Sequence, residues 1–299
     1  MTTSVFISDE TVAAVCASET GKSFKITGCT RRDVPPGTIT AGRIADGERF
    51  RELLRDLFTV RGIEKSDVTL VLDATMTQIM DVPIVSPARI RRLVANEFEA
   101  QYGAGIPLLC DYCVINGATS SAGGRIIGCA VERETVEKYM ETFGSLGIKL
   151  RSATVAVQSI LHLSSFLNAR IARRTFVLSL LYGRRMISYL FNAGEYTVMV
   201  HNTMMQDRGS AAAAVELSRN LSALSQYNAA QQESLRIETV YVTGMQGQEL
   251  GYCGEISANL NVGVEQLKSV FKVKGGSRLE ELFNHGDYIY CLGDILRVD

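Results

Sequence analysis

The stretch Val68-Thr69-Leu70-Val71-Leu72, with Asp81-Val82-Pro83-Ile84-Val85-Ser86-Pro87 and Ala88-Arg89-Ile90-Arg91-Arg92-Leu93-Val94-Ala95-Asn96-Glu97-Phe98 after it, says most about how this chain is built. Thr69-Leu70-Val71-Leu72 reads as a buried strand. Ser86 is expected to accept a hydrogen bond from a free N–H of the first helical turn, and Pro87 at the first helical position gives up no hydrogen bond. Ile90, Leu93, Val94 and Phe98 then recur at three- and four-residue spacings, so the helix has one apolar face, and Glu97 falls within that stripe. Its charges oppose the helix dipole, with Arg89, Arg91 and Arg92 in the first two turns and Glu97 and Glu99 near the end. Two readings follow: a solvated charged face, or a docking surface for a partner segment. Asp111-Tyr112-Cys113-Val114-Ile115 closes the stretch as another strand.

Upstream, Val5-Phe6-Ile7, Val12-Ala13-Ala14-Val15 and Phe24-Lys25-Ile26 are separated by Ser8-Asp9-Glu10 and Thr20-Gly21-Lys22, the pattern of three antiparallel strands joined by hairpin turns. Pro35-Pro36-Gly37 breaks it. Residues 46–61 then predict a helix with Phe50, Leu53, Leu54, Leu57 and Phe58 on one side. Downstream come a strand at 125–131 and a helix at 132–146 with Val136, Tyr139, Met140 and Phe143 as its buried stripe, stopped by Gly147. A strand at 149–157 and a helix through Ile160, Leu161, Leu163 and Leu167 follow. Residues 77–150 thus read as a small β-α-β-β-α unit set inside a larger domain.

From Arg173 the opening arrangement recurs: strands at 175–181, 186–191 and 196–201, an alanine-rich helix at 210–230 and a strand at 239–242. Two passes of three strands, helix and strand indicate an internally duplicated α/β architecture. Duplicated halves that face each other make a ligand cleft.

Composition narrows the functions. A net charge of −1 removes any global electrostatic case for nucleic acid or an anionic membrane. No apolar run approaches the roughly 18–20 residues of a membrane helix, and no secretory signal is visible, so a cytoplasmic protein is expected. Seven cysteines, an odd number, do not make a disulfide framework in 299 residues. Cys110-x-x-Cys113 lacks a second pair or a flanking histidine to complete a zinc site, and His162, His201 and His285 belong to no metal or triad motif. No metal site or catalytic residue is predicted.

With duplication and insert in hand, the chain resembles the PilM-type pilus assembly proteins, in the actin-like ATPase superfamily that includes the cell-division protein FtsA. The resemblance lies in order and local pattern over nearly the whole length. It rests on Asp81-Val82-Pro83, Ser86 opening a helix with Glu97, Asp111-Tyr112, Cys129-Ala130-Val131 and Glu137-Lys138-Tyr139. To these it adds Glu216-Leu217-Ser218-Arg219-Asn220-Leu221, similar to the family's Glu-Ile-x-Arg-Ser-Leu helix, and Leu292-Gly293-Asp294-Ile295-Leu296-Arg297, similar to its closing Gly-Leu-Ala-Leu-Arg. The resemblance implies a duplicated actin-like (ribonuclease-H-like) α/β fold. Residues 1–171 would form the first lobe, with an FtsA/PilM-type insert at about 77–150. Residues 172–299 would form the second, the C-terminal segment packing back on the first.

The same resemblance implies an Asp-x-Gly-type turn in each lobe for phosphates and magnesium. Here the first reads Ile7-Ser8-Asp9-Glu10-Thr11, with only Asp9 as a candidate. The second reads Leu178-Ser179-Leu180-Leu181-Tyr182-Gly183, with Ser179 in the aspartate's place, and the adenosine-site Gly-Gly appears as Gly244-Met245. Asp9, Ser179, Gly183 and Gly244 are therefore read as a vestigial nucleotide site. No cofactor is expected, ATP and magnesium being readmitted only if the turns fall a residue or two elsewhere.

The function implied is a pseudo-ATPase scaffold of a type IV pilus or related secretion machine. It would be held at the inner face of the membrane by the cytoplasmic tail of a PilN-like single-span protein and would meet other pilus assembly proteins. Neither nucleic-acid binding nor direct membrane insertion is expected. Arg91, Arg92 and Glu97 are the candidate partner contacts. The alternatives are an active Mg-ATP enzyme of the same superfold and the cytoplasmic actin-like domain of a type II secretion protein.

Overall fold

The computed structural model describes residues 1–20, 23–60, 62–73, 75–103, 105–116, 123–231, 235–245, 247–267, 286 and 288–296. Gly21 and Lys22 of the first expected turn, His285, and Arg297 of the closing motif lie outside them. The chain divides into two compact units, one of residues up to Leu161 with Tyr290 onward, the other His162–Ile289.

In the first unit β1 (Thr2–Ile7), β2 (Thr11–Thr20) and β3 (Ser23–Asp33) form an antiparallel meander. A short hairpin follows where the sequence predicts only a break, made of β4 (Ile39–Thr40) and β5 (Arg43–Ile44). Asp46 opens α1 (Gly47–Leu57), its carboxylate accepting from the Glu48 and Arg49 amides, and the helix buries Phe50, Leu54 and Leu57. The chain returns as β6 (Val68–Leu72), parallel to β1 with Leu70 beside Val5. Every residue of β6 is buried, Thr69 included, as the run Leu70-Val71-Leu72 anticipated.

The insert comprises β7 (Met76–Val82), α2 (Pro87–Tyr102), β8 (Leu108–Asn116) and β9 (Gly124–Glu132), its sheet ordered β7-β9-β8. Val94 and Phe98 of α2 pack on Val82, Ile126 and Ala130. Gly128 admits the helix this closely, since a Cβ there would stand 2.9 Å from Met80 Sδ and 3.1 Å from Val94 Cγ1. The Ser86 hydroxyl makes no capping bond; its carbonyl instead accepts from the Arg89 and Ile90 amides, and Pro87 leads the helix as expected.

α3 (Arg133–Ser145) reads as part of the insert in sequence but belongs to the core of the first unit. Its Tyr139 and Phe143 rings meet Phe50 and Phe58 edge to face. Met140, expected in the same stripe, is exposed. The buried arc is centred on Tyr139 and Phe143, and position 140 falls at its margin. β10 (Leu150–Val155) then pairs parallel to β6, giving the order β10-β6-β1-β2-β3.

The division between units falls inside α4 (Ala156–Ser164), upstream of the expected boundary at 171/172, and the single turn α5 (Asn168–Ile171) follows it. The second unit comprises β11 (Phe176–Tyr182), β12 (Arg185–Asn192), β13 (Glu195–Thr203), α6 (Ala211–Gln231), β14 (Thr239–Thr243), a 3₁₀ turn at Gly247–Gly251, α7 (Tyr252–Leu260) and β15 (Gly263–Gln266). Its order, β13-β12-β11-β14-β15, repeats the first sheet: three antiparallel strands, with two parallel strands added beyond the first of them. Leu217, Leu221 and Leu224 of α6 pack on Val177, Leu181 and Val240. From Tyr290, α8 (Tyr288–Ile295) is part of the first unit. There Tyr290 stacks on Phe6 with ring centroids 4.3 Å apart, and a Cβ on Gly293 would stand 2.0 Å from the Ser159 carbonyl oxygen.

Candidate functional site

At the first-lobe turn Ser8 closes the hairpin with its own side chain. Its hydroxyl accepts from the Thr11 amide at 3.0 Å and donates to the Thr11 carbonyl at 3.2 Å. The carboxylate of Asp9 accepts from the Ala41 amide at 2.9 Å and the Gly42 amide at 2.8 Å. Tyr139 donates its phenolic O–H to the Gly42 carbonyl at 2.9 Å. Asp9 and Tyr139 thus hold the β4–β5 turn, where Ala41 and Gly42 have φ values of 49° and 75°. Burial pushes the Tyr139 phenol up and the Asp9 carboxylate adds to it, so the ring keeps its donor proton.

In the second lobe Ser179 lies within β11 rather than in the turn. It is fully buried, and its Oγ is 2.7 Å from Ser188 Oγ on β12. The turn itself is at Gly183, with φ 52°. Gly244, just past β14, has φ 82°, and a Cβ on it would stand 1.8 Å from the Leu181 carbonyl oxygen. Only glycine allows that approach.

Arg208, which the sequence did not single out, joins the two glycine segments. Its Nη2 donates to the Gly244 carbonyl at 2.8 Å and its Nη1 to the Gly183 carbonyl at 3.3 Å. Its Nε and Nη2 grip both carboxylate oxygens of Glu249, which is only 4% exposed and also accepts from the Gly209 amide at 3.1 Å. Arg208 and Glu249 are 41 residues apart in sequence. The one signal for them was an acid set among glycines, Gly247-Gln248-Glu249-Leu250-Gly251.

Phosphates need converging N–H donors, and magnesium needs a carboxylate oxygen with a lone pair to give. At Gly183 and Gly244 it is carbonyl oxygens that converge, and they converge on a cation. Each Asp9 oxygen accepts from one amide of the β4–β5 turn, and Ser179 is sealed in the core. Among the described residues, no three His, Cys, Asp or Glu side chains are grouped to hold a metal ion.

A different recess lies within the first unit. A cavity of 280 Å³ opens between the insert sheet and the carboxyl ends of β6 and β10. Leu109, Cys113, Cys129 and Val131 line it from the insert, and Leu72, Val155 and Gln158 line it from below. The Cys113 and Cys129 Sγ atoms are 4.0 Å apart, and that contact together with burial pushes the Cys113 thiol well up, away from nucleophilic chemistry. Cys110, also on the lining, packs with the α2 cluster. Asp111, also on the lining, is exposed and pairs with Arg91 at 3.0 Å, and the Arg91 guanidinium lies 5.9 Å from the Tyr112 ring centre. Of the three candidate partner contacts, the structure therefore links Arg91 to the cavity. Arg92 and Glu97 lie exposed on α2.

No protein-family model and no curated protein matches this sequence. Among solved structures, a PilM-PilN type IV pilus biogenesis complex overlaps 98% of this chain and 96% of its own at a TM-score of 0.73, with 17% identity. A Bacteroides thetaiotaomicron protein of unknown function with an actin-like ATPase fold overlaps 97% and 95% at a TM-score of 0.58, with 9% identity. Together with the repeated strand order of the two sheets, these overlaps give the chain the actin-like ATPase fold.

Proposed function

We propose that this chain is a scaffold of a type IV pilus or related secretion assembly, one that seats the N-terminal tail of a PilN-like membrane protein beneath its insert sheet and turns over no ATP. The cavity carries the reading. It is an apolar recess with an exposed carboxylate at its side, and at 280 Å³ it suits one or two side chains of an extended segment. Pockets that enclose drug-sized ligands run to about 300–1,000 Å³. The similar solved structure with the larger overlap is of a PilM with a PilN, which supports a tail of that class as the occupant. Arg91 would hold Asp111 in position at the cavity wall, while Arg92 and Glu97 would meet the part of the tail that runs on over α2. Such a tail would hold the chain at the inner face of the membrane.

Titration of a fluorescently labelled tail peptide of a PilN-like protein tests this directly. Saturable binding is expected, with Val131→Arg weakening it at least about tenfold by filling the cavity with a charge. Arg92→Ala combined with Glu97→Ala should weaken it less. No binding at millimolar peptide would overturn the reading. A thermal-shift titration with Mg-ATP separates the enzyme alternative, since stabilisation that grows with ligand concentration would favour it.

A further inference from the structure

We propose that the second lobe is self-liganded: the Arg208 guanidinium and the Glu249 carboxylate take the bridging part that a bound nucleotide would play between the β11–β12 turn and the segment after β14. This rests on the nucleotide-independent reading above and extends it, because it says what holds those segments in a ligand's stead.

Three pieces of chain meet at the pair. The β11–β12 turn offers the Gly183 carbonyl, the segment after β14 offers the Gly244 carbonyl, and the approach to α6 supplies Arg208 itself. Glu249 closes the set, receiving the guanidinium fork and the Gly209 amide. Tyr252 donates its O–H to the Gly209 carbonyl at 2.9 Å, which fixes the residue after the arginine. The stretch before it is held as well. Arg184 donates from Nε to the Met204 carbonyl at 3.0 Å and from Nη2 to the Met205 carbonyl at 2.8 Å, while Glu216 accepts from the Met205 amide at 2.8 Å.

The polarity of this arrangement decides its meaning. A phosphate site aims N–H dipoles inward and admits a carboxylate only across a metal ion. Here two carbonyl dipoles and a buried carboxylate point at a single cation, so the preferred occupant is the guanidinium already present. A side chain tethered to the chain pays its ordering cost at folding, so the loops stay joined at any nucleotide concentration.

The test compares the full chain with Arg208→Ala, Glu249→Gln, and the double variant Arg208→Met with Glu249→Met, by thermal unfolding with and without Mg-ATP, and by titration with methylguanidinium. Arg208→Ala leaves a buried carboxylate without its guanidinium and should lower Tm by roughly 10 °C. Millimolar methylguanidinium should recover part of that loss, and an equal concentration of methylammonium should not. The double variant, with neither charge buried, should melt closer to the full chain than either single variant does. Wild-type Tm should not move with Mg-ATP. An Arg208→Ala protein that melts like wild type, a double variant as unstable as the sum of the singles, or a rise in wild-type Tm with Mg-ATP would each overturn the proposal. Should Arg208→Ala fail to fold, the double variant still decides. Binding of the tail peptide, read on the same proteins, is expected to be unchanged, because the cavity is built wholly from the first unit. A failure of the docking reading therefore leaves these outcomes standing, and the reverse holds too.

Discussion

Replacing Ser179 by an aspartate would restore the residue type that the resemblance demands, yet the side chain would enter a fully buried site facing Ser188. Ser179→Asp is therefore expected to lower stability by about 2–4 kcal/mol in urea unfolding, without creating magnesium-dependent stabilisation. A second prediction concerns protons. Burial pushes the Cys29 thiol up to about 11, and Cys113 and Tyr139 are raised as well. In the unfolded chain such groups ionise at their ordinary values, about 8.5 for a thiol and 10 for a phenol. The folded state thus keeps its protons longer. Their contribution is complete below about pH 8.5 and is lost as pH rises toward 11. Urea midpoints should fall between about pH 8 and pH 10.5, with Cys29→Ala removing about 1–2 kcal/mol of the difference once solvent screening is allowed for. The sequence made Asp9 and Ser179 conspicuous because of where they stand in the repeat. It could not show that Asp9 would accept from amides 32 and 33 residues away, since such pairings exist only after the sheet has formed.

Helices and strands were more legible than their allegiances. The spacings in α1, α2 and α3 gave their apolar faces, and short, mainly apolar runs gave the central strands, because sequence pattern is a local property. Which core an element joins is not local, and α3 illustrates the difference. It follows the insert in sequence, yet Phe143 and Tyr139 are buried among α1 residues. Phe143→Ala is expected to cost about 3–5 kcal/mol, and Met140→Ala, on the exposed margin, less than about 0.5 kcal/mol, both from chemical denaturation. The α2 cap shows the same limit at smaller scale: the sequence placed the helix start, but the Ser86 hydroxyl stays out of it and the proline leads the helix alone.

At the scale of the molecule, the insert has its own cluster around α2, while α3 belongs to the core of the lobe. Met76 and Ala130 are paired neighbours, so the two ends of the insert lie side by side and a short glycine linker can replace residues 76–132. That excision is expected to retain a cooperative thermal transition by circular dichroism while losing the tail peptide. Excision of residues 77–150 removes α3 and β10 with it and should abolish the transition. The duplication was readable because each lobe repeats the same order of periods; the boundary inside α4 was not, because a continuous helix gives no composition change there. The stacking of Tyr290 on Phe6 brings together residues nearly the whole chain apart. During synthesis, then, β1 must wait for the segment that carries Tyr290 before its unit is complete. Contacts this distant along the chain slow folding and lengthen the exposure of unfinished surfaces. The nascent first lobe is for that interval a natural client for chaperones.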